Sequence, residues 1–238
     1  MTSSSTRVLP IKRKVLAAVA TLMIVCGVSA AATGAASAAT PQCGGNCISV
    51  FSSELGSYDQ LNFVEAVLGD GGARVGQPVG LKQANKFDPT QDIIPDAPVM
   101  DAKVSDFYAV GMVSAEANRH YGHLPAVQQR YAPFGMETDL CVGLASVTQN
   151  EGLTLQPCRV PGTTVWVVEE DLAIPPGYFP IVNAATTDFR LPFAMHLPRN
   201  EVASGKPLQM HARRLQFLTN EKTLRARQLW GAWFGELP

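Results

Sequence analysis

The sequence has 238 residues, of which 46% are hydrophobic, 16% charged and 8% aromatic. A chain this apolar can bury a core, which excludes full disorder. Its single long apolar stretch excludes a polytopic membrane protein. With 20 glycines and 17 prolines, we expect frequent turns and no long helices.

The first 39 residues have the layout of a secretory signal peptide. Four basic residues lie near the start, an apolar run covers 15–28, and small residues follow up to 36–38. We predict cleavage after Ala38 or Ala39, secretion, and no membrane association after cleavage. The alternatives are an uncleaved membrane anchor and, through Cys26, a lipoprotein.

Cleavage makes the remaining chain acidic. Residues 1–39 hold four of the 19 basic residues and none of the 20 acidic ones, which leaves 15 basic, 20 acidic and a net charge of −5. This charge argues against nucleic-acid binding, which relies on neutralising phosphates. We predict that residues 40–238 form one domain and that the protein is a monomer.

Four cysteines remain in the exported chain, and an even number in such a chain indicates disulfides. Three pairings are possible, and we favour the two local ones, Cys43 with Cys47 and Cys141 with Cys158. A metal site at Cys43 and Cys47 would need two more ligands, and none is evident nearby. We therefore predict neither a metal nor a cofactor.

Short apolar segments recur in three groups, as three copies of one strand pattern. The groups are 63–66, 78–81 and 107–110; 141–144, 152–155 and 165–168; and 181–184, 192–195 and 229–232. Alternation of apolar and polar residues indicates half-buried strands. Together the copies predict an all-β, pseudo-threefold barrel with long loop insertions.

The predicted repeats cover about 48–110, 127–170 and 178–236. The third apolar segment of each repeat carries an aromatic residue, and we expect these three residues to fill the core. They are Phe107, Trp166 and Trp230.

The second group resembles a ricin-type β-trefoil repeat. It has the Cys-led strand Cys141-Val142-Gly143-Leu144, a Gly-led strand from Gly152 that ends at Cys158, and then Trp166. Residues 75–81 are similar to the family's second strand, and Gln228-Leu229-Trp230 fits its Gln-x-Trp motif. The resemblance implies a β-trefoil over most of 43–238, with Gln228 in the structural core.

Members of that family often bind sugars through an Asp two residues after the leading Cys position. The corresponding residues here are Glu65, Gly143 and Asn183. The resemblance implies Glu65 and Asn183 as ligand-binding side chains; the alternative is that both are ordinary polar residues of strands. Trp233 would face away from Trp230 on a strand, and we consider it a candidate for stacking on a sugar ring.

No catalytic motif is evident: the sequence lacks both His-Glu-x-x-His and Gly-x-Ser-x-Gly. His120 and His123 lack the further ligands that a zinc site needs. Basic residues collect at 206–227, and such an asymmetry can attract an anionic polymer.

We predict a secreted, non-catalytic, lectin-like binding module for extracellular carbohydrate or a cell-surface polymer such as the cell wall. One alternative is an extracellular hydrolase. Another is a protein-binding trefoil, such as a protease inhibitor that acts through a protruding loop. Residues 84–103, which we expect to form one long surface loop, would be that loop.

Overall fold

Short antiparallel strands form almost all of the regular structure. The computed structural model describes residues 43–174, 177–198, 208–216, 224–235 and 237. The predicted signal peptide at 1–39 lies outside the described residues.

The described chain forms fourteen strands and two short α-helices. In chain order they are β1 Ile48–Ser52, β2 Phe63–Val67, β3 Val79–Gln83, β4 Ile93–Asp96, α1 Val104–Ala109, α2 Ala115–Tyr121, β5 Ala126–Tyr131, β6 Leu140–Gly143, β7 Glu151–Gly152, β8 Thr154–Pro157, β9 Trp166–Val168, β10 Ile181–Asn183, β11 Phe193–His196, β12 Leu208–Gln209, β13 His211–Arg214 and β14 Trp230–Phe234.

Strand pairing repeats three times along the chain. Three hairpins, β2–β3, β6–β8 and β11–β13, form one set of pairs. Three further pairs join the end of one repeat to the start of the next: β4–β5, β9–β10 and β14–β1. Four strands per repeat, six in a barrel and six in hairpins that cap it, constitute a β-trefoil. The predicted fold class is confirmed.

The first residue of each repeat's fourth strand lies in the core beneath the hairpins. These residues are Ile93, Trp166 and Trp230, and none is exposed to solvent. Trp166 Nε1 donates a hydrogen bond to the Val142 carbonyl at 2.9 Å, and Trp230 Nε1 donates to the Met195 carbonyl at 3.0 Å. Val142 and Met195 are both third residues of their hairpin strands, so the two tryptophans occupy equivalent positions in repeats two and three.

The strand predicted at 107–110 is wrong, because this segment belongs to α1. Val104 and Phe107 lie one helical turn apart and are both buried, while the Lys103 backbone N–H donates to the Asp106 carboxylate at 2.8 Å. Phe107 is a core residue, but of an outer cluster rather than of the barrel. Ile93 occupies the position in the barrel core that was expected for Phe107.

The prediction of one long surface loop at 84–103 is also wrong. The stretch contains β4, which pairs with β5 over four residues and supplies the fourth strand of the first repeat. Because the predicted groups do not include β4, they do not coincide with the repeats of the structure. The first two groups begin with the second strand of a repeat, whereas the third begins with a first strand.

A second apolar cluster covers one side of the barrel from outside. Residues of α1 and α2 pack there on the outward side chains of β5, β9 and β10, including Ala126, Val167 and Val182. On another side, Phe51 of β1 packs beneath Tyr58, with ring centroids 5.1 Å apart. Gly231 is required opposite Phe51, because a Cβ there would lie 2.3 Å from the Phe51 ring.

Both predicted disulfides are confirmed. Cys43 pairs with Cys47, and Cys141 pairs with Cys158, which ties β6 to the end of its hairpin partner β8. In the described part of the chain, neither helix has the length and apolar character needed to cross a bilayer.

Candidate functional site

Glu65 does not lie on the surface. It is the third residue of β2, opposite Leu81, and only 1% of it is exposed. Neither carboxylate oxygen has a hydrogen-bond partner among the described residues, and burial raises the pKa of Glu65 to about 8. A sugar on the surface cannot reach this side chain, so its position contradicts the expected ligand contact.

Asn183 is also fully buried, opposite Trp166 in the β9–β10 pair. Its Nδ2 donates to the Thr163 carbonyl at 3.0 Å, and its Oδ1 accepts from the Ala185 backbone N–H at 3.1 Å. These bonds hold the turn after β10 in place. The expected sugar contact at Asn183 is therefore contradicted as well, and the two residues lie on different strands of different repeats.

Gln228 lies just before the last strand, β14, and Trp233 lies within it. Gln228 is buried; its Oε1 accepts from the Gln216 backbone N–H at 2.8 Å and its Nε2 donates to the Arg214 carbonyl at 3.0 Å. Trp233 is half-buried on the outer face of β14, opposite Ser49. Its proposed role in stacking on a ligand remains a prediction.

The barrel is open at the end opposite the hairpins. A cavity of about 760 Å³ lies there, which is within the range of small-molecule sites. Its inner ring takes one residue from each barrel strand, in three register pairs: Val50 with Ala232, Pro95 with Gln129, and Ile181 with Val168. These six side chains line the cavity and leave this end of the barrel unfilled.

The rim of the cavity is more polar and more exposed than its inner ring. Phe234, at the end of β14, is 68% exposed, and the solvent-exposed carboxylates of Asp101 and Glu170 line the same cavity. Met100, in the loop after β4, is 91% exposed. One exposed aromatic residue and two exposed acidic residues therefore line the same recess.

Gln129 is the one polar residue of the inner ring. It is 1% exposed, and its Oε1 accepts no hydrogen bond from any described residue. An unpaired buried amide oxygen costs about 1–3 kcal/mol. Gln129 therefore adds an unfavourable buried polar atom to an otherwise apolar ring.

A basic cluster lies elsewhere, on the third repeat. Arg213 Nη1 donates to His196 Nε2 at 3.3 Å, and burial together with Arg213, Arg227 and other nearby cations lowers the pKa of His196 to about 4. Arg227 also pairs with Glu54 at 2.8 Å. Part of the predicted basic stretch 206–227 lies outside the described residues.

The candidate metal ligands do not form a metal centre in the described chain. Two groups of suitable atoms occur, and each includes a disulfide: Cys43 and Cys47 with Asp92, and Cys141 and Cys158 with Asp96. A disulfide sulfur offers no thiolate. His120 stacks on Phe189, with ring centroids 4.2 Å apart, and His123 contacts Asp171 at 3.2 Å, so the two histidines have separate partners.

Sequence patterns did not indicate the cavity. The inner ring includes a residue of β4, a segment that the sequence analysis assigns to a loop. It also depends on the register of six strands that are distant in sequence. Only the strand register shows that these six residues share one level.

No known protein-family model matches the sequence, and no curated protein matches it. Solved structures are similar at low identity. They include a mosquitocidal holotoxin (11% identity, TM-score 0.46), the designed threefold-symmetric protein ThreeFoil (7%, 0.48) and an SDF2-like protein from Arabidopsis thaliana (9%, 0.42), each aligned over 80% of this chain. The alignment covers 17% of the holotoxin, 98% of ThreeFoil and 94% of the SDF2-like protein. The fold assignment rests on the strand pairing of the chain itself.

Proposed function

We propose that the protein is a secreted, non-catalytic, lectin-like module that binds extracellular carbohydrate or a cell-surface polymer at the mouth of its barrel. The two disulfides support an oxidising, extracellular location. The trefoil supplies a rigid scaffold whose loops and open end are available for recognition. The proposed binding face is the rim of the cavity, because Glu65 and Asn183 are buried.

The carrying observation is that exposed Phe234 shares the recess with the carboxylates of Asp101 and Glu170. Sugar rings present apolar C–H faces that pack on aromatic rings, and hydroxyl groups that donate to carboxylates. Tyr58 and Phe179 add two further aromatic side chains to the lining. The rim therefore combines the two kinds of contact that a saccharide needs.

The two alternatives have less support. A hydrolase would need a carboxylate pair in the recess, with one of the two acids held protonated, or a histidine beside a nucleophile. Asp101 and Glu170 both line the recess but are solvent-exposed, and Glu169, whose pKa burial raises, is not among the residues that line it. A protease inhibitor would need an extended, exposed loop around Met100. The chain instead bends at 98–101, and Asp101 has a φ of +54°, so this segment is not extended.

The test is retention of the protein on peptidoglycan, chitin, cellulose and starch, with a soluble glycan array alongside. We expect retention on at least one polymer, competition by one free sugar, and a loss of at least tenfold in affinity for Phe234→Ala. Phe87→Ala is the matched control, since Phe87 is 64% exposed and does not line the cavity. Absence of retention on every polymer, or equal loss in both variants, would contradict the proposal.

A further inference from the structure

Three arginines of the third repeat come together although they lie on two separate segments. Arg213 belongs to β13, whereas Arg225 and Arg227 lie at the 3₁₀ turn just before β14. The Leu197 backbone N–H donates to the Arg227 carbonyl at 2.9 Å, and the Arg225 backbone N–H donates to the carbonyl of Gln216, two residues after β13, at 3.3 Å. These bonds hold the turn against both strands of the β11–β13 hairpin.

The positive charges of these arginines converge around His196, the last residue of β11. Arg213 Nη1 donates to His196 Nε2 at 3.3 Å. Burial, and after it the charges of Arg213, Arg227, His211 and Arg225, lower the pKa of His196 to about 4, so all three arginines lie near its ring. His196 is therefore neutral near pH 7, and the arginines carry the charge of the cluster.

This charge is only partly compensated by carboxylates of the described chain. Arg227 pairs with Glu54 at 2.8 Å. Neither Arg213 nor Arg225 forms an ion pair with a described residue, and the Nε of each is buried without a hydrogen-bond partner. Three arginines against one carboxylate leave two positive charges without a counter-charge, which is unfavourable for partly buried groups.

The three side chains are only partly buried, so a small ion from solvent has access to the cluster. Arg213 and Arg225 are half-buried, and 21% of the Arg227 side chain is exposed. Arg214, the neighbour of Arg213 on β13, differs because its Nη1 donates to the Asp188 carboxylate at 3.0 Å. The uncompensated charge is therefore confined to one small region, and none of the three arginines lines the cavity at the barrel mouth.

We propose that Arg213, Arg225 and Arg227 form a binding site for a phosphate or sulfate group. Each guanidinium presents parallel N–H donors that match two oxygens of such a group. A phosphate or sulfate group carries up to two negative charges, which balances the two uncompensated arginines, whereas a carboxylate carries only one. The site is separate from the proposed saccharide site and does not depend on it.

The first experiment is calorimetric titration of the full protein at neutral pH and low ionic strength. We expect inorganic phosphate and sulfate to bind about tenfold more tightly than acetate, which corresponds to at least one further charge-assisted hydrogen bond. Glycerol phosphate and a short poly(glycerol phosphate) distinguish the source of the group. Tighter binding of these probes than of inorganic phosphate assigns the site to a phosphate carried on a larger ligand, and the reverse assigns it to the free ion.

Three variants locate the site. Arg225→Met and Arg213→Met should each weaken phosphate binding about tenfold, since each removes one uncompensated guanidinium. Arg225→Lys keeps the charge but not the paired donors, so its affinity should lie between those of wild type and Arg225→Met. Arg159→Met is the matched control, because Arg159 is exposed in the second repeat and also forms no ion pair with a described residue. It should change the affinity by less than about twofold.

Equal affinity for phosphate, sulfate and acetate, or an equal loss in Arg225→Met and Arg159→Met, would overturn the site. Arg225→Met removes no ion pair of the described chain, so it still decides if Arg213→Met does not fold. Phe234→Ala should leave phosphate binding unchanged, and Arg225→Met should leave retention on chitin, cellulose and starch unchanged. Failure of the carbohydrate proposal and failure of this site therefore give different results.

Discussion

Glu65 stands at a position where the other two repeats carry apolar side chains. Its equivalents by hairpin register are Val142 and Met195, opposite Leu155 and Ala212 as Glu65 is opposite Leu81. All of these neighbours are fully buried. A carboxyl group here must stay protonated to avoid burying a charge, and its raised pKa of about 8 expresses that cost.

Glu65→Met, which restores the residue type of the third repeat, should stabilise the protein. The folded pKa of Glu65 lies above the unfolded value of 4.5, so its contribution to stability is most favourable below pH 4.5 and is lost as the pH rises to about 8. We expect Glu65→Met to raise the free energy of unfolding by roughly 3 kcal/mol at pH 7. Urea unfolding from pH 4 to 9 measures this.

The matched control is Glu116→Met, at an exposed position in α2. It should change the free energy of unfolding by no more than about 0.5 kcal/mol. If Glu65→Met leaves the stability of the protein at pH 7 unchanged, the carboxyl group is not buried as described.

His196 gives the opposite pH dependence. Its pKa is lowered to about 4, so the unfolded chain binds a proton below pH 6.5 that the folded protein does not. Stability from this group is complete above pH 6.5 and is lost as the pH falls to about 4. We expect His196→Gln to flatten the stability profile between pH 6.5 and 4, with His120→Gln as the control; equal slopes in wild type and variant would count against this assignment.

At the scale of elements, the hairpin strands were predictable and the helical insertion was not. β2, β3, β6, β8 and β11 alternate in burial or carry compact apolar runs, so period-two patterns located them. The segment 107–110 also reads as a strand, because Phe107, Tyr108 and Val110 favour one. One local and one tertiary interaction favour the helix: the Lys103–Asp106 hydrogen bond, and the packing of Phe107 against the outside of the barrel.

The two buried tryptophans anchor equivalent strands, so their removal should cost similar amounts. Trp166→Phe deletes the hydrogen bond to the Val142 carbonyl and leaves a small void, and Trp230→Phe does the same at Met195. We expect each to lower the free energy of unfolding by about 2 kcal/mol. Trp233→Phe, on the half-buried outer face, should cost less than half as much in the same thermal or urea unfolding series.

At the scale of the whole molecule, threefold repetition fixed the fold class but not the site. Local patterns identify strands, and three copies of one pattern restrict how those strands can close into a barrel. The cavity depends instead on side chains such as Val50, Gln129 and Ile181, which meet only through the register of distant strands. Glu65 and Asn183, the ligand-binding positions that the family resemblance implied, are buried in this chain.

The most direct test of the account is a methyl NMR titration of the protein with soluble fragments of peptidoglycan, chitin, cellulose and starch. The methyl groups of Ile48, Val50 and Val127 report on the mouth, and those of Leu81 and Leu155 report on the hairpin cap. We expect one fragment to shift the mouth signals in a saturable manner while the cap signals stay fixed. No shift with any fragment, or shifts confined to the cap or to the basic cluster around Arg213, would contradict binding at the barrel mouth.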